Sequence, residues 1–175
     1  MEDPRYPVGE FNPPAAPSPQ DIRRAIDTIA ACPKALRAAV AGLNDAQLDT
    51  PYRDGGWTVR QVTHHIADSH MNAYIRCKLA VTEDHPRIKA YEQADWAKLE
   101  DGRTAPVELS LQIMDAVHDR WVRFLRSLPD QAFARTIDHP ENGVMTLHNV
   151  IFLYEWHSRH HVAHITRLRE RKGWR

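Results

Sequence analysis

This sequence predicts an all-α protein: an antiparallel four-helix bundle with short extra helices and a small β-hairpin or extended loop. Three observations predict it. Apolar residues recur at helical spacing through four long segments. Each segment opens on a capping residue or on a proline suited to a first helical turn. The connections are mostly short and polar, which favours neighbouring helices packed as a bundle, and no internal repeat or low-complexity tract interrupts them.

Residues 1–17 carry five of the twelve prolines and no helical period, so they predict an extended N-terminal arm lying on the surface of a single domain, 18–175. Ser18-Pro19-Gln20-Asp21 opens the first helix, with Ser able to cap, Pro in the first turn and Asp near the positive end. Ile22, Ile26, Ile29, Leu36, Val40 and Leu43 form its apolar stripe, and Pro33 predicts a kink or break near Cys32. Asn44 is placed to cap a short turn carrying Leu48. The segment 49–57 is a loop rich in Pro, Gly and aromatics, with Tyr52, Arg53, Asp54 and Trp57 as a candidate lip for a site.

Thr58-Val59-Arg60-Gln61 is a capping box that starts a second long helix reaching about Thr82. Beside its apolar side runs a polar stripe, His65, Asp68, Ser69, Asn72 and Arg76, which suits a solvated face and an internal site equally well. A short helix is expected around Glu92–Leu99 and a third long helix from about Pro106 to Leu128. Its inward stripe is Ser110, Met114, Val117, Trp121, Phe124 and Leu128, and Pro129 stops it. Residues 134–146 predict a hairpin or extended loop turning at Asn142-Gly143. Thr146 caps the last helix, Leu147 to Lys172.

Composition narrows the function. At 175 residues the chain is one domain, long enough to bury a core. Lys plus Arg equals Asp plus Glu, which disfavours a general nucleic-acid binder. The two cysteines, Cys32 and Cys77, form neither a Cys-x-x-Cys motif nor a disulfide framework. The start lacks the apolar run of a signal peptide, and no stretch nears the roughly 20 apolar residues of a membrane span. A cytoplasmic protein without membrane or nucleic-acid partners is expected.

Six of the eleven histidines fall in two places, His64-His65 and the stretch His157 to His164. Residues four apart share a helix face, so His157/His161 and His160/His164 are both possible two-ligand clamps. A third imidazole from another helix would complete an open three-histidine metal site. At about 100° per residue, His161 and His157 fall roughly 20° and 60° from the centre of the last helix's apolar stripe, and His164 and His160 roughly 80° and 120°. The predicted triad is therefore His65, His157 and His161. His70, His85, His118, His139 and His148 receive no role, because they lack partners at ligand spacing.

Long motifs then carry a resemblance. Tyr6-Pro7-Val8-Gly9-Glu10, the run from Asp49 to Val62, His64-His65-Ile66-Ala67-Asp68-Ser69-His70-Met71-Asn72, Trp156-His157-Ser158, His160-His161-Val162-Ala163-His164-Ile165 and Gly173-Trp174 strongly resemble the YfiT group of the DinB-like superfamily over nearly the whole chain. The resemblance implies a four-helix bundle, a homodimer and a metal-dependent hydrolase. Its ligand pattern maps onto His65, His157 and His161.

One divalent metal per chain, zinc first and nickel second, is the expected cofactor. Held by three neutral imidazoles, it would lower the pKa of a bound water to about 7 for attack on a small-molecule carbonyl substrate. Thiol transferases that use bacillithiol or mycothiol occur in the same superfamily, so a metal-dependent thiol S-transferase is the alternative. A non-catalytic, metal-stabilised bundle is the third reading. Asp68 is placed as a general base or as the hydrogen-bond partner of His65. Asn72 and Arg76 are candidate substrate contacts, with surface ion pairing the favoured role for Arg76.

Overall fold

The structure, a computed structural model, describes residues 3–174. Met1 and Glu2, the start of the expected arm, lie outside them, as does Arg175. Seven α-helices and one two-stranded sheet make up the described chain: α1 Pro19–Val40, α2 Asp45–Leu48, α3 Val59–Thr82, α4 Gln93–Trp96, α5 Glu100–Thr104, α6 Val107–Arg126 and α7 Leu147–Lys172. A 3-10 turn, Asp130–Ala134, leads into β1 Thr136–His139 and β2 Gly143–Thr146.

The caps lie where the sequence places them. Ser18 and Asp21 bond reciprocally at the start of α1, as do Asn44 and Gln47 for α2 and Thr58 and Gln61 for α3. Thr146 accepts from the Asn149 amide to open α7, and Gly173 at φ 65° closes it in the left-handed conformation. The strands pair antiparallel, Thr136 with Thr146 through His139 with Gly143, and Gly143 supplies the positive φ of the turn.

The long helices α1, α3, α6 and α7 form the four-helix bundle. The packing pairs are α1 with α6 and α7, and α3 with α6 and α7, so α1 stands diagonally opposite α3 and α6 diagonally opposite α7. Side-chain partners give the directions. Arg37 reaches Glu108 while Arg126 reaches Asp27, so α1 and α6 are antiparallel. His65 and Ser69 meet His157 and Tyr154, so α3 and α7 are antiparallel too. By contrast α3 and α6 run parallel, with His64 on Ser110 and His70 on His118. A parallel neighbour demands a long return, which is the span between Thr82 and Val107 that carries α4 and α5.

Two apolar clusters fill the bundle. One gathers Ile22, Ile26, Ile29, Ala73, Cys77, Trp121, Leu125, Ile151 and Tyr154; the other Leu36, Val59, Val62, Ile66, Leu111, Met114, Ile165 and Leu168. Between them, at the same height on three helices, lies a band of histidines: His65 and His70 on α3, His118 on α6, and His157 and His161 on α7. Buried Arg60 braces the loop beside this band, donating to Asp49 (2.6 Å), Asp45 (2.9 Å) and the Ala105 carbonyl (3.1 Å).

Three sequence expectations change. No break occurs at Pro33: α1 runs through it. Proline removes the amide that would bond to the Ile29 carbonyl, and that carbonyl instead accepts from His118 Nδ1 at 2.8 Å. On α6 the buried set is Ser110, Leu111, Met114, His118, Trp121, Val122 and Leu125, whereas Val117, Phe124 and Leu128 are only half-buried. The buried face of α6 is rotated from the expected stripe, with His118, given no role from its spacing, in a core position. Finally, the connection expected to hold one helix around Glu92–Leu99 holds two short ones.

Candidate metal centre

The three histidines singled out by helical phase come together between α3 and α7, with one ligand atom of each within 4.8 Å of the others. His65 Nε2 and His157 Nε2 lie 3.2 Å apart. The His157 and His161 rings are one turn apart with centroids at 4.3 Å, and His65 faces His161 edge-on at 4.8 Å. Two nitrogens about 2.0–2.1 Å from a tetrahedral zinc lie about 3.3 Å apart, so the observed separation fits a shared metal.

Burial keeps these rings neutral, the state that offers a lone pair. It pulls His65 down to about 4 and His157 and His161 well below the usual imidazole range, with neighbouring histidines adding repulsion. His65 and His161 are buried, while His157 keeps partial exposure. Trp57 closes one side, its ring 4.6 Å from His65 and 6.5 Å from His161. Trp57 of the loop 49–57 thus borders these histidines.

The other pair is also buried, contrary to its expected distance from the core: His160 is 7% and His164 3% exposed. Helical phase counts only the bundle interior, whereas here other segments supply the cover. Residues 3–17 contain no helix or strand and lie along α7. Trp156 Nε1 donates to the Gly9 carbonyl at 3.0 Å, and His164 Nε2 donates to the Arg5 carbonyl at 3.3 Å. Tyr52 stacks on His164 at 4.0 Å and Trp156 on His160 at 4.2 Å.

Two further groups bring ligand atoms together, His160/His161/His164 and Cys32/His70/His118. The first lies within little more than one turn of a single helix. Its contact between His161 Nδ1 and His164 Nδ1 (3.3 Å) is satisfied as a hydrogen bond, since the Arg5 carbonyl takes the other His164 nitrogen. In the second, His70 Nδ1 and His118 Nε2 are only 2.8 Å apart, a hydrogen-bond distance rather than a ligand–ligand one. Burial also pushes the Cys32 thiol up to about 11, away from thiolate.

The remaining candidates separate. Among the described residues no hydrogen bond joins Asp68 to His65, which removes the expected partner role. Burial, with Asp101 nearby, raises the Asp68 carboxyl to about 6 instead. Asn72 donates to the Asp68 carbonyl (2.9 Å) and lines an opening of about 490 Å³ with Lys89, Tyr91 and Trp96. Among the described residues Arg76 makes no carboxylate pair of the kind expected; its Nη2 donates to the Lys89 carbonyl (2.9 Å) on the wall of that opening. A second opening, about 480 Å³, lies between the arm and α7 and reaches Tyr52, Arg53 and His164.

Sequence reasoning passed over His70 and His118. His70 is fully buried, 3.1 Å from His157 and 2.8 Å from His118. The available signal was Pro33, a helix-interior proline that leaves the Ile29 carbonyl without its helical amide and so in need of a donor from elsewhere.

A family model described as the DinB superfamily matches residues 28–165. YfiT of Bacillus subtilis, provisionally named a metal-dependent hydrolase, is 49% identical over 170 residues, covering 97% of this chain and 96% of its own. A relative from Geobacillus thermodenitrificans with the same provisional name is 51% identical over 172 residues, with the same coverage. The solved structure of Bacillus subtilis YfiT, described as a probable metal-dependent hydrolase with an unusual four-helix bundle topology, superposes with a TM-score of 0.95 at 48% identity, over 98% of this chain and 99% of that one. In sequence over nearly its full length, and in the course of its four helices, this chain belongs to the DinB superfamily.

Proposed function

We propose that the chain is a hydrolase of small-molecule substrates that holds one divalent metal, zinc or nickel, through His65, His157 and His161. The observation that carries this reading is the meeting of three neutral imidazoles from two helices, with two Nε2 atoms 3.2 Å apart. Relatives at about half identity that are provisionally named metal-dependent hydrolases support it. A metal held there supplies Lewis acidity and lowers the pKa of water in its coordination shell. Three protein ligands leave a coordination position for substrate.

The chain's own groups take the remaining tasks. Asp68, one turn along α3 from His65, titrates near 6 and is largely ionised at neutral pH, so it can accept a proton from the attacking water. Asn72 presents an amide to the adjoining opening and serves as a substrate contact. Arg76 shapes the same wall through Lys89. Trp57 limits water on the buried side. Within this reading residues 18–175 are the metal-binding domain and 1–17 an N-terminal arm whose described part, 3–17, covers it, and the protein works in the cytoplasm as a homodimer; among the described residues no helix is long and apolar enough to cross a membrane.

Elemental analysis of untagged protein should find about one zinc or nickel per chain. Cobalt-substituted protein tests whether the site is open: acetate or a hydroxamate should shift its visible bands. A thiol-induced sulfur-to-metal charge-transfer band would favour the thiol transferase instead. Bands that respond to neither ligand class would leave a structural metal. A metal-free sample that also refuses added zinc would sink the whole reading.

A further inference from the structure

The histidine band contains more imidazoles than one metal needs, and their contacts are ordered. A carbonyl oxygen only accepts, so each ring bonded to one has its proton fixed. His118 Nδ1 must donate to Ile29 (2.8 Å), the carbonyl freed by Pro33. His118 is neutral, because burial pulls it down to about 4, so its Nε2 is bare and accepts from His70 Nδ1 at 2.8 Å. His70 is fully buried with no carboxylate among its hydrogen-bond partners to balance a charge, so with its proton on Nδ1 its Nε2 is bare and accepts from His157 Nδ1 at 3.1 Å. His157 is left with its proton on Nδ1 and its lone pair on Nε2, the atom facing His65.

A second, shorter chain does the same for His161. The Arg5 carbonyl takes the proton of His164 Nε2 (3.3 Å), and the bare Nδ1 of His164 accepts from His161 Nδ1 (3.3 Å), leaving the lone pair of His161 on Nε2.

We propose that His118–His70 and His164 are positioning residues: two hydrogen-bonded histidine chains, each ending on a backbone carbonyl, that lock His157 and His161 in the Nδ1–H tautomer and aim their Nε2 lone pairs at one metal. The proposal rests on the three-histidine reading above. It gives Pro33 and the N-terminal arm a part in the site, since one releases the Ile29 carbonyl and the other provides that of Arg5. Locking removes the tautomer that cannot bind through Nε2, and it holds each ring at a fixed angle before the metal arrives. Chains of outer imidazoles take the place of the carboxylates and single carbonyls that commonly orient metal-bound histidines.

The test begins with metal-free, nitrogen-15-labelled protein at pH 8, using long-range proton–nitrogen correlations that distinguish the two tautomers. His157, His161, His70 and His118 should each carry the proton on Nδ1, and His164 on Nε2. A His157 or His161 protonated on Nε2 before metal is added would overturn the proposal. This readout needs no metal, so its failure is distinct from a failure to bind zinc.

Variants then probe the link to affinity, read by competition of zinc with a chromophoric chelator. His70→Leu removes the acceptor for His157 and should weaken zinc binding by about 10–100-fold. His70→Gln should restore most of it, because the Gln carboxamide oxygen replaces the accepting Nε2. For His164 the accepting atom is Nδ1, so His164→Asn should rescue where His164→Leu does not. A merely structural role predicts no such match between rescuing residue and accepting atom. Wild-type affinity in a folded His70→Leu protein would refute the chain, as would a second zinc bound by Cys32, His70 and His118. Should a Leu variant fail to fold, the wild-type tautomers still decide.

Discussion

Acidification of the metal-free protein offers a direct measure of how much the buried histidines cost. His65 and His118 are pulled down to about 4, and His70 and His161 well below the usual range, all by burial. Each of the four is less than a tenth exposed. In the unfolded chain each titrates near 6.5. Below that pH the unfolded state binds protons that the folded state refuses, so stability falls as pH falls from 6.5 toward 4. Asp68, raised to about 6, acts in the opposite sense below that value, because the folded state holds its proton. These five groups alone give a net of about three protons, or about 4 kcal/mol per pH unit, and His157, His160 and His164, also lowered by burial, add to it in the same sense. Between pH 6.5 and 5 that amounts to about 6 kcal/mol, comparable with the roughly 5–15 kcal/mol stability of an ordinary domain. Urea titrations at several pH values, followed by far-ultraviolet circular dichroism, give the slope. Saturating zinc should move the loss of structure to lower pH, because metal and protons compete for the same rings. A slope below one proton in the metal-free protein would show that these imidazoles are solvated, and the argument for a neutral, pre-formed ligand set would fail.

Other perturbations separate the roles of individual residues. His157→Ala and His161→Ala should each lower zinc affinity by more than the roughly 100-fold upper range of outer-partner losses, whereas His160→Ala should stay near wild type; chelator competition ranks them. Gly173→Ala places a Cβ at φ 65° and should cost about 1 kcal/mol in chemical denaturation without changing metal content. Asp68→Asn should leave zinc affinity nearly intact while abolishing the rise of hydrolysis rate with pH near 6 in a screen of ester and amide substrates. Analytical ultracentrifugation of the zinc-loaded protein should report a dimer.

The bundle and the meeting of His65, His157 and His161 are legible in the sequence because they rest on short-range rules. Capping boxes at Ser18, Asn44 and Thr58 mark helix starts within a turn, and the i, i+4 pair His157/His161 needs only helical geometry. What escaped depends on contacts between elements. His118 reads as a surface residue by polarity, yet it fills a core position because the Ile29 carbonyl of α1 needs a donor. His160 and His164 read as peripheral by phase, yet the arm and Tyr52 cover them. The parallel course of α3 and α6 was hidden too, since connection length alone does not fix which corner a helix occupies.

The separation of the candidate ligands along the chain bears on the order of events in folding. His157 and His161 can present a two-nitrogen grip as soon as one turn of α7 forms, a local step that takes on the order of a microsecond. His65 lies 92 residues earlier, so the third nitrogen arrives only after α3 docks on α7 and a long loop has closed. An early metal is therefore held weakly, by a pair alone, and can dissociate and rebind while the helices find their corners. Tight binding then reports completed docking, and the rate at which zinc becomes resistant to a chelator during refolding should follow bundle assembly rather than helix formation.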